Sequence, residues 1–165
     1  MEKHDWSKFV LKINIDADVE DIYDAWSIPV LMEKWFLRKA VFYQDEAELI
    51  PEESVQEGQT YEWYWHGHSD EAVEKGQVLE TNHINKIQYT FVGGAEITVE
   101  IGVVGGESVV MLTQEAIPTD EHGMVNYNVG CQVGWTFYLT NLKSYLEGGI
   151  DLRNKNMLFS GVINS

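Results

Sequence analysis

The C-terminal third of the chain carries its longest helical pattern of apolar residues. Between residues 124 and 146 these residues recur at steps of three and four, which is the spacing of one face of a helix. The positions are Met124, Tyr127, Cys131, Gly134, Trp135, Tyr138, Leu142, Tyr145 and Leu146. The pattern stops at Gly148-Gly149, where glycine readily adopts the left-handed conformation of a helix cap. The sequence therefore predicts one continuous helix over about residues 122–147.

Before this helix the hydrophobic period changes to two, which is typical of half-buried strands. The predicted strands cover residues 6–16, 39–44, 59–67, 72–81, 86–92, 95–104 and 107–117. Gly93-Gly94 and Gly105-Gly106 are hairpin signals between the last three. Because consecutive strands joined by tight turns are antiparallel neighbours, the pattern predicts a curved meander.

Two short helices are predicted between the first and second strands. Apolar residues at helical spacing follow Asp16 and Asp18, either of which can cap a helix, and the first helix ends before Pro29. Ser27 and Pro29 then indicate a second helix start. The predicted order is β-α-α, six strands and a long helix. This is an α+β fold, with a sheet of about seven strands wrapped on the C-terminal helix.

Composition and charge narrow the class of protein. A chain of 165 residues suits one domain, predicted over residues 1–153 with a C-terminal tail over 154–165. Eleven Lys and Arg against 27 Asp and Glu give a net charge of −16, which disfavours nucleic acid as a partner. Charged residues within the first twenty positions, and the absence of an eighteen-residue apolar run, predict a cytoplasmic protein without membrane insertion. Cys131, the single cysteine, allows no disulfide within the chain.

Three segments together resemble a known superfamily. They are DADVEDIYDAWSIPVLMEKWF at residues 16–36, GQTYEW at 58–63 and GWTFYLTNLKSYLEGG at 134–149. With the order of elements, they resemble the START-like (SRPBCC) superfamily, and most of all the carboxy-terminal domain of the activator of heat shock protein 90 ATPase homologue family. The resemblance covers about residues 6–153. It implies a helix-grip (Bet v 1-like) fold, with an apolar cavity between sheet and long helix that binds lipids, sterols, polyketides or other hydrophobic molecules.

Two aromatic rows, one on each of two predicted strands, are candidates for the walls of such a cavity. On a strand, residues two apart share a face, although aromatic rows also arise from plain core packing. The candidate lining residues are Trp35, Tyr61, Trp63, Trp65, Tyr89, Phe91, Met111, Gly134, Trp135, Tyr138 and Leu142. Gly130 and Gly134 each lower helix propensity by about 1 kcal/mol relative to Ala. Their presence indicates a close neighbour of the helix, either a strand or a ligand.

No catalytic motif accompanies this pattern. The sequence contains no GxSxG, no cysteine with a recognisable histidine partner and no phosphate-binding glycine loop. Glu62, Glu100, Gln114 and Glu115 lie on predicted strands and would merit attention as acid or base groups only if they faced inward. The outward orientation is expected for each.

A metal centre is not predicted either. His66 and His68 share a strand face, and Asp70 and Glu71 follow them, but His83 and His122 lie far away in the sequence. We therefore expect no metal, no other cofactor and no catalytic residue.

Three classes of function remain open. The favoured one is a binding or carrier domain that sequesters a small hydrophobic ligand, such as a lipid, polyketide or aromatic molecule, without transforming it. The alternatives are a polyketide cyclase/aromatase-like enzyme and a co-chaperone-type protein-interaction domain with an unidentified protein partner. A carboxylate that faces the cavity and pairs with His or Tyr would favour the enzyme, whereas a dry pocket would favour the carrier. A filled core with a large exposed apolar patch would favour the interaction domain.

Overall fold

The computed structural model describes residues 3–165, in which a long C-terminal helix packs against an eight-stranded sheet. The strands are β1 (Phe9–Ile15), β2 (Lys39–Gln44), β3 (Ala47–Glu48), β4 (Thr60–Tyr64), β5 (Val73–Thr81), β6 (Lys86–Thr90), β7 (Glu96–Val104) and β8 (Glu107–Glu115). The helices are α1 (Val19–Ser27), α2 (Pro29–Trp35) and α3 (Gly130–Leu146). A 3-10 turn (Val92–Gly94) follows β6, and a π-helical segment (Gly123–Val129) leads directly into α3. The arrangement is the predicted helix-grip fold.

All neighbouring strands are antiparallel, in the order β1-β8-β7-β6-β5-β4-β2-β3. The predicted meander is therefore confirmed, and the short β3 adds one strand to the seven that were predicted. Gly105 and Gly106 both have positive φ, and Val104 pairs with Glu107 across them. This is the two-residue hairpin turn that the glycine pair predicts.

The two short helices lie where the sequence places them, but their caps differ from expectation. Asp18 is the N-cap residue of α1, yet its side chain makes no capping hydrogen bond. The N-cap of α2 is Ile28 rather than Ser27, because α1 continues through Ser27. The Ser27 hydroxyl is buried and has no hydrogen-bond partner within residues 3–165. Pro29 does begin α2, where its missing N–H costs nothing.

The predicted long helix is continuous. His122, Val129 and Gly130 all have right-handed helical dihedral angles, so the chain does not break at Gly130. The first two turns are π-helical, which the apolar spacing did not reveal. Gly148, with φ of +78°, terminates the helix as predicted.

Aromatic side chains from four elements converge in the core beneath this helix. Ring centroids lie 4.7 Å apart for Trp26 and Trp35, 5.8 Å for Trp26 and Trp135, and 5.2 Å for Phe36 and Trp135. The Trp35 indole N–H donates to the Ala25 carbonyl at 2.9 Å. Such edge and offset arrangements add to the burial of apolar area. The cluster joins α1, α2, β4 and α3 around one centre.

The segment after α3 is held against the core by Arg153. Its buried guanidinium donates to the carbonyls of Leu37 and Glu33, at 2.9 Å each, and to the carboxylate of Asp151. Residues 154–165, the expected tail, fold back so that the Asn164 amide donates to the Leu152 carbonyl at 2.8 Å. Nowhere in residues 3–165 is a helix both long and apolar enough to cross a membrane.

Replacing Trp135 by alanine is expected to lower the free energy of unfolding by about 3–5 kcal/mol, because the ring is 3% exposed and sits at the centre of the aromatic cluster. Urea denaturation followed by circular dichroism measures the change. Val133→Ala, two residues away on the exposed side of α3, is the matched control and should change stability by less than about 0.5 kcal/mol. A loss below about 1 kcal/mol for Trp135→Ala would contradict the burial of this ring in the core.

Candidate functional site

A cavity of about 570 Å³ lies between the inner face of the sheet and the first half of the long helix. Its walls come from the residues that directly follow α2, β4 and β6, from the π-helical segment and from α3. The lining residues are Phe36, Trp65, His68, Phe91, Val92, Asn126, Tyr127, Gly130, Cys131, Gly134, Trp135 and Tyr138. This volume lies within the range of small-molecule sites, roughly 300–1,000 Å³.

Small residues of the helix leave the cavity open. Beyond the adjoining residues and backbone of its own helix, a Cβ atom placed on Gly134 would meet no atom of residues 3–165 within 4 Å. One placed on Gly130 would meet the Val125 carbonyl oxygen at 3.5 Å. The neighbour expected beside these glycines is therefore not a strand. Gly134 faces empty space, which a larger side chain at this position would fill.

The π-helical segment closes one end of the cavity. The Tyr127 ring lies against Gly93, so closely that a Cβ atom at Gly93 would overlap the ring. The Tyr127 carbonyl accepts a hydrogen bond of 3.1 Å from the Gln114 side-chain amide. One turn of the helix is thus fixed both to the β6–β7 connection and to β8.

Five of the predicted lining residues border the cavity. These are Trp65, Phe91, Gly134, Trp135 and Tyr138. Whether any of them binds a ligand stays a prediction. Trp65 and Phe91 each directly follow a strand, and the other three lie on the side of α3 that faces the cavity.

Five other candidates lie in the core behind the cavity wall. They are Trp35, Tyr61, Trp63, Tyr89 and Leu142, each 1% exposed or less. The Tyr61 and Trp63 rings stack with centroids 3.9 Å apart, and Tyr89 packs against Trp63 at 5.1 Å. Plain core packing accounts for these positions, because other rings cover them.

Met111 was assigned to the cavity wrongly. Val110 and Leu112 are buried on the inner face of β8, so the alternation of the strand places Met111 on the outer face. Its cross-strand partners there are Lys12 and Glu100.

Seven further lining residues were not assigned to the site from the sequence. They are Phe36, His68, Val92, Asn126, Tyr127, Gly130 and Cys131. Tyr127 and Cys131 belong to the apolar helical pattern, which was a usable signal for a cavity-facing position. His68 and Asn126 are exposed residues at the mouth of the cavity, and no sequence pattern distinguishes them from other polar surface residues.

Most polar groups on the inner face of the sheet are already paired. The Trp135 indole N–H donates to the Gln114 side-chain oxygen at 3.0 Å, and the Tyr89 hydroxyl donates to the Trp26 carbonyl at 2.6 Å. Burial raises the pKa of Tyr138 to about 12, so this phenol stays neutral at physiological pH. Burial also raises the pKa of the Cys131 thiol.

Of the four candidate acid or base groups, only Gln114 faces inward, and it carries no charge. Glu62 is on the outer face, where it accepts hydrogen bonds from Lys75 at 2.7 Å and from Tyr64 at 2.8 Å. Glu100 also lies on the outer face, opposite Met111, and Glu115 is exposed.

The inward carboxylate is instead Glu74, which the sequence did not reveal. It pairs across the strands with the buried Trp63, and burial raises its pKa. Within residues 3–165, no three His, Cys, Asp or Glu side chains come together in a group that could hold a metal ion.

Comparisons with known proteins identify the family and the fold. The family model described as "Activator of Hsp90 ATPase homolog 1-like protein" matches residues 16–147. No curated protein matches the chain.

Several solved structures share the fold. Protein SSP2350 from Staphylococcus saprophyticus is 21% identical, with a TM-score of 0.68 over 88% of this chain and 96% of that one. The Aha1 dimer from Colwellia psychrerythraea is 19% identical, with a TM-score of 0.65 over 86% and 97%. CalU16 from Micromonospora echinospora is 18% identical, with a TM-score of 0.61 over 88% and 77%.

At these identities the solved structures establish the fold alone. The family model adds the relationship, because it spans most of the chain, from the start of α1 to the end of α3. The chain therefore belongs to the Activator of Hsp90 ATPase homolog 1-like family, within the START-like superfamily of helix-grip proteins.

Proposed function

We propose that this protein binds a small hydrophobic molecule non-covalently in the cavity beneath α3 and does not transform it. The observation that carries the proposal is the cavity of about 570 Å³, lined mainly by aromatic rings and small helix residues. Apolar walls with a few polar groups are typical of sites that take up apolar ligands.

The shape of the walls favours a flat ligand. Trp65, Phe91, Trp135 and Tyr138 contribute four aromatic rings to the lining. Rings of this kind pack well against flat apolar molecules in offset or edge-to-face geometry. Gly134 leaves room on the helix side, so a ligand can lie between the helix backbone and the rings.

The chemistry of the lining favours binding over catalysis. Cys131 is the nucleophilic side chain in the lining, but its raised pKa keeps the thiol protonated and therefore weakly reactive. Glu74 faces inward, yet it forms no hydrogen bond with a His or Tyr among residues 3–165. The cyclase-like alternative requires such a paired acid or base.

Titration with apolar probes tests the proposal. A flavonoid and a fluorescent fatty acid, each added to the purified protein, should be compared for a saturable change in tryptophan emission. Native mass spectrometry of freshly purified protein adds a search for a retained small molecule. A complete lack of saturable binding across such probes would defeat the proposal.

Gly134→Leu is expected to abolish probe binding while leaving the fold intact. The leucine side chain would enter the cavity, and replacing glycine within a helix gains roughly 0.5–1 kcal/mol of helix propensity. Probe titration and thermal melting measure the two effects separately. Val133→Leu, on the exposed side of the same helix turn, is the control and should bind like the wild type. Full binding by Gly134→Leu, or a marked loss of its stability, would count against a ligand at this position.

A second candidate function, self-association, is favoured by the outer side of the long helix. Val125, Val129 and Val133 are 57%, 47% and 57% exposed at four-residue intervals. No charged residue occurs between His122 and Lys143, although the chain carries a net charge of −16. Two copies repel each other wherever their acidic surfaces meet, so this uncharged strip is where they can approach. The related Aha1 of Colwellia psychrerythraea was solved as a dimer.

We therefore propose that two copies pair through these valines, and light scattering after size exclusion should detect a dimer at high protein concentration. Added salt should strengthen it by screening the repulsion. Changing Val129 and Val133 together to Glu should give a monomer that still binds the apolar probe. The control, Val10→Glu and Val103→Glu together, alters exposed valines elsewhere and should leave the dimer unchanged. A wild-type protein that is monomeric at every concentration would reject this pairing.

A further inference from the structure

Strand β5 places a carboxylate on the inner face of the sheet. Glu74 is directly opposite Trp63 on β4, and antiparallel partners of this kind share a face. Trp63 is fully buried beneath the helix side of the sheet. Farther along β5, Val78 points the same way and is also fully buried. The Glu74 side chain therefore projects from the inner face of the sheet.

The sheet opens beside Glu74. Strand β5 pairs with β6 only from Val78 onward, whereas its first five residues pair with β4 alone. Two hydrogen bonds span the start of this opening. The Tyr61 hydroxyl donates to the Thr90 carbonyl at 2.6 Å, and the Gln77 N–H donates to the Thr90 hydroxyl at 2.9 Å. Beyond Thr90 the chain turns away, so the Glu74 position faces a gap between two strands.

This gap adjoins the cavity. On one side β4 ends at Tyr64 and is followed by Trp65, and on the other side β6 ends at Thr90 and is followed by Phe91. Trp65 and Phe91 both line the cavity. The charge of Glu74 also reaches the Cys131 thiol in the helix wall, where it adds to the effect of burial in raising the thiol pKa.

The Glu74 carboxylate lacks a partner among the described residues, and so does the buried indole N–H of Trp63 opposite it on β4. Glu74 makes no hydrogen bond and no ion pair with any of residues 3–165, whereas the adjacent Lys75 forms an ion pair with Glu62 on the outer face. A partly buried carboxylate without a donor costs folding free energy. Its pKa is raised by burial alone, which is consistent with the lack of a compensating partner.

We infer that Glu74 is a specificity-determining residue, and that its carboxylate accepts a hydrogen bond from a donor group at one end of the bound hydrophobic molecule. This inference rests on the proposed binding function and narrows its ligand class to flat apolar molecules with a phenolic hydroxyl or an amine. Hydrogen bonds to an ionised acceptor are stronger than neutral ones. Fatty acids are disfavoured, because their carboxylate would approach that of Glu74.

Matched probes isolate the donor group. The ligands 2-naphthol and 2-methoxynaphthalene share one ring system, but only the first has an O–H donor, and 2-naphthoate carries a negative charge in its place. Isothermal titration calorimetry with the full chain should give affinities in the order naphthol, methoxynaphthalene, naphthoate. We expect naphthol to bind about tenfold more tightly than methoxynaphthalene, a difference of about 1.4 kcal/mol.

Two variants assign this preference to Glu74. Glu74→Gln should reduce it to less than about threefold, because a neutral amide oxygen is a weaker acceptor, and should weaken the discrimination against naphthoate. The variant should melt no lower than the wild type, since it removes an unpaired charge. Glu100→Gln, on the outer face of β7, is the control and should keep the wild-type order of affinities.

The outcomes separate this inference from the function on which it rests. Glu74 does not determine ligand specificity if the wild type binds naphthol and methoxynaphthalene equally, or if Glu74→Gln keeps the full preference. Either result would leave the proposed binding of hydrophobic molecules intact. If none of the neutral probes binds, the proposed function itself fails. The comparison of probes on the wild type decides the first question even if the variant does not fold.

Discussion

One buried side chain, Gln114, fixes the long helix to the sheet beside the cavity. It is fully buried on β8, where its oxygen accepts from the Trp135 indole and its amide donates to the Tyr127 carbonyl. Each of these groups would cost free energy if it were buried without its partner. The two bonds hold the helix at points eight residues apart, and the chain between them contains Gly130, Cys131 and Gly134, the residues that border the cavity. A helix rotated about its axis would lose both bonds and turn large side chains toward the empty space.

The π-helical turns complete this constraint. The Gly130 N–H bonds to the Val125 carbonyl, five residues back, where an α-helix would connect residues four apart. This extra residue per turn shifts the face that the first part of the helix presents to the sheet. Tyr127 then reaches Gly93, whose missing side chain admits the ring. Short π-helical segments are often found at functional sites, and this one forms an end wall of the cavity.

The sequence predicted the elements well and the walls of the site only in part, for physical reasons that differ between residues. Periodicity located the strands and the long helix because burial on one face imposes it. Periodicity could not distinguish Trp65, which borders the cavity, from Trp63, which lies in the core. Trp63 is on β4 and Trp65 directly follows it, so their side chains point to the same face. Met111 was misplaced because β8 carries apolar residues on both faces, and the buried Gln114 gives the inner row a polar member. Glu74 could not be found, because its position depends on the register between β4 and β5.

Three features that cost folding free energy are associated with the cavity. A cavity forfeits packing contacts, two glycines weaken the helix, and Glu74 has no donor among residues 3–165. The two glycines line the cavity, and Glu74 lies on the strand beside it. By contrast, Arg153 satisfies carbonyls beside α2 that would otherwise be buried without partners. Residues that weaken packing, helix propensity or hydrogen bonding occur mainly at functional sites, where function requires them. A bound molecule that fills the space and supplies the missing hydrogen bond would offset two of these costs at once, so occupancy of the cavity and stability of this region should be coupled.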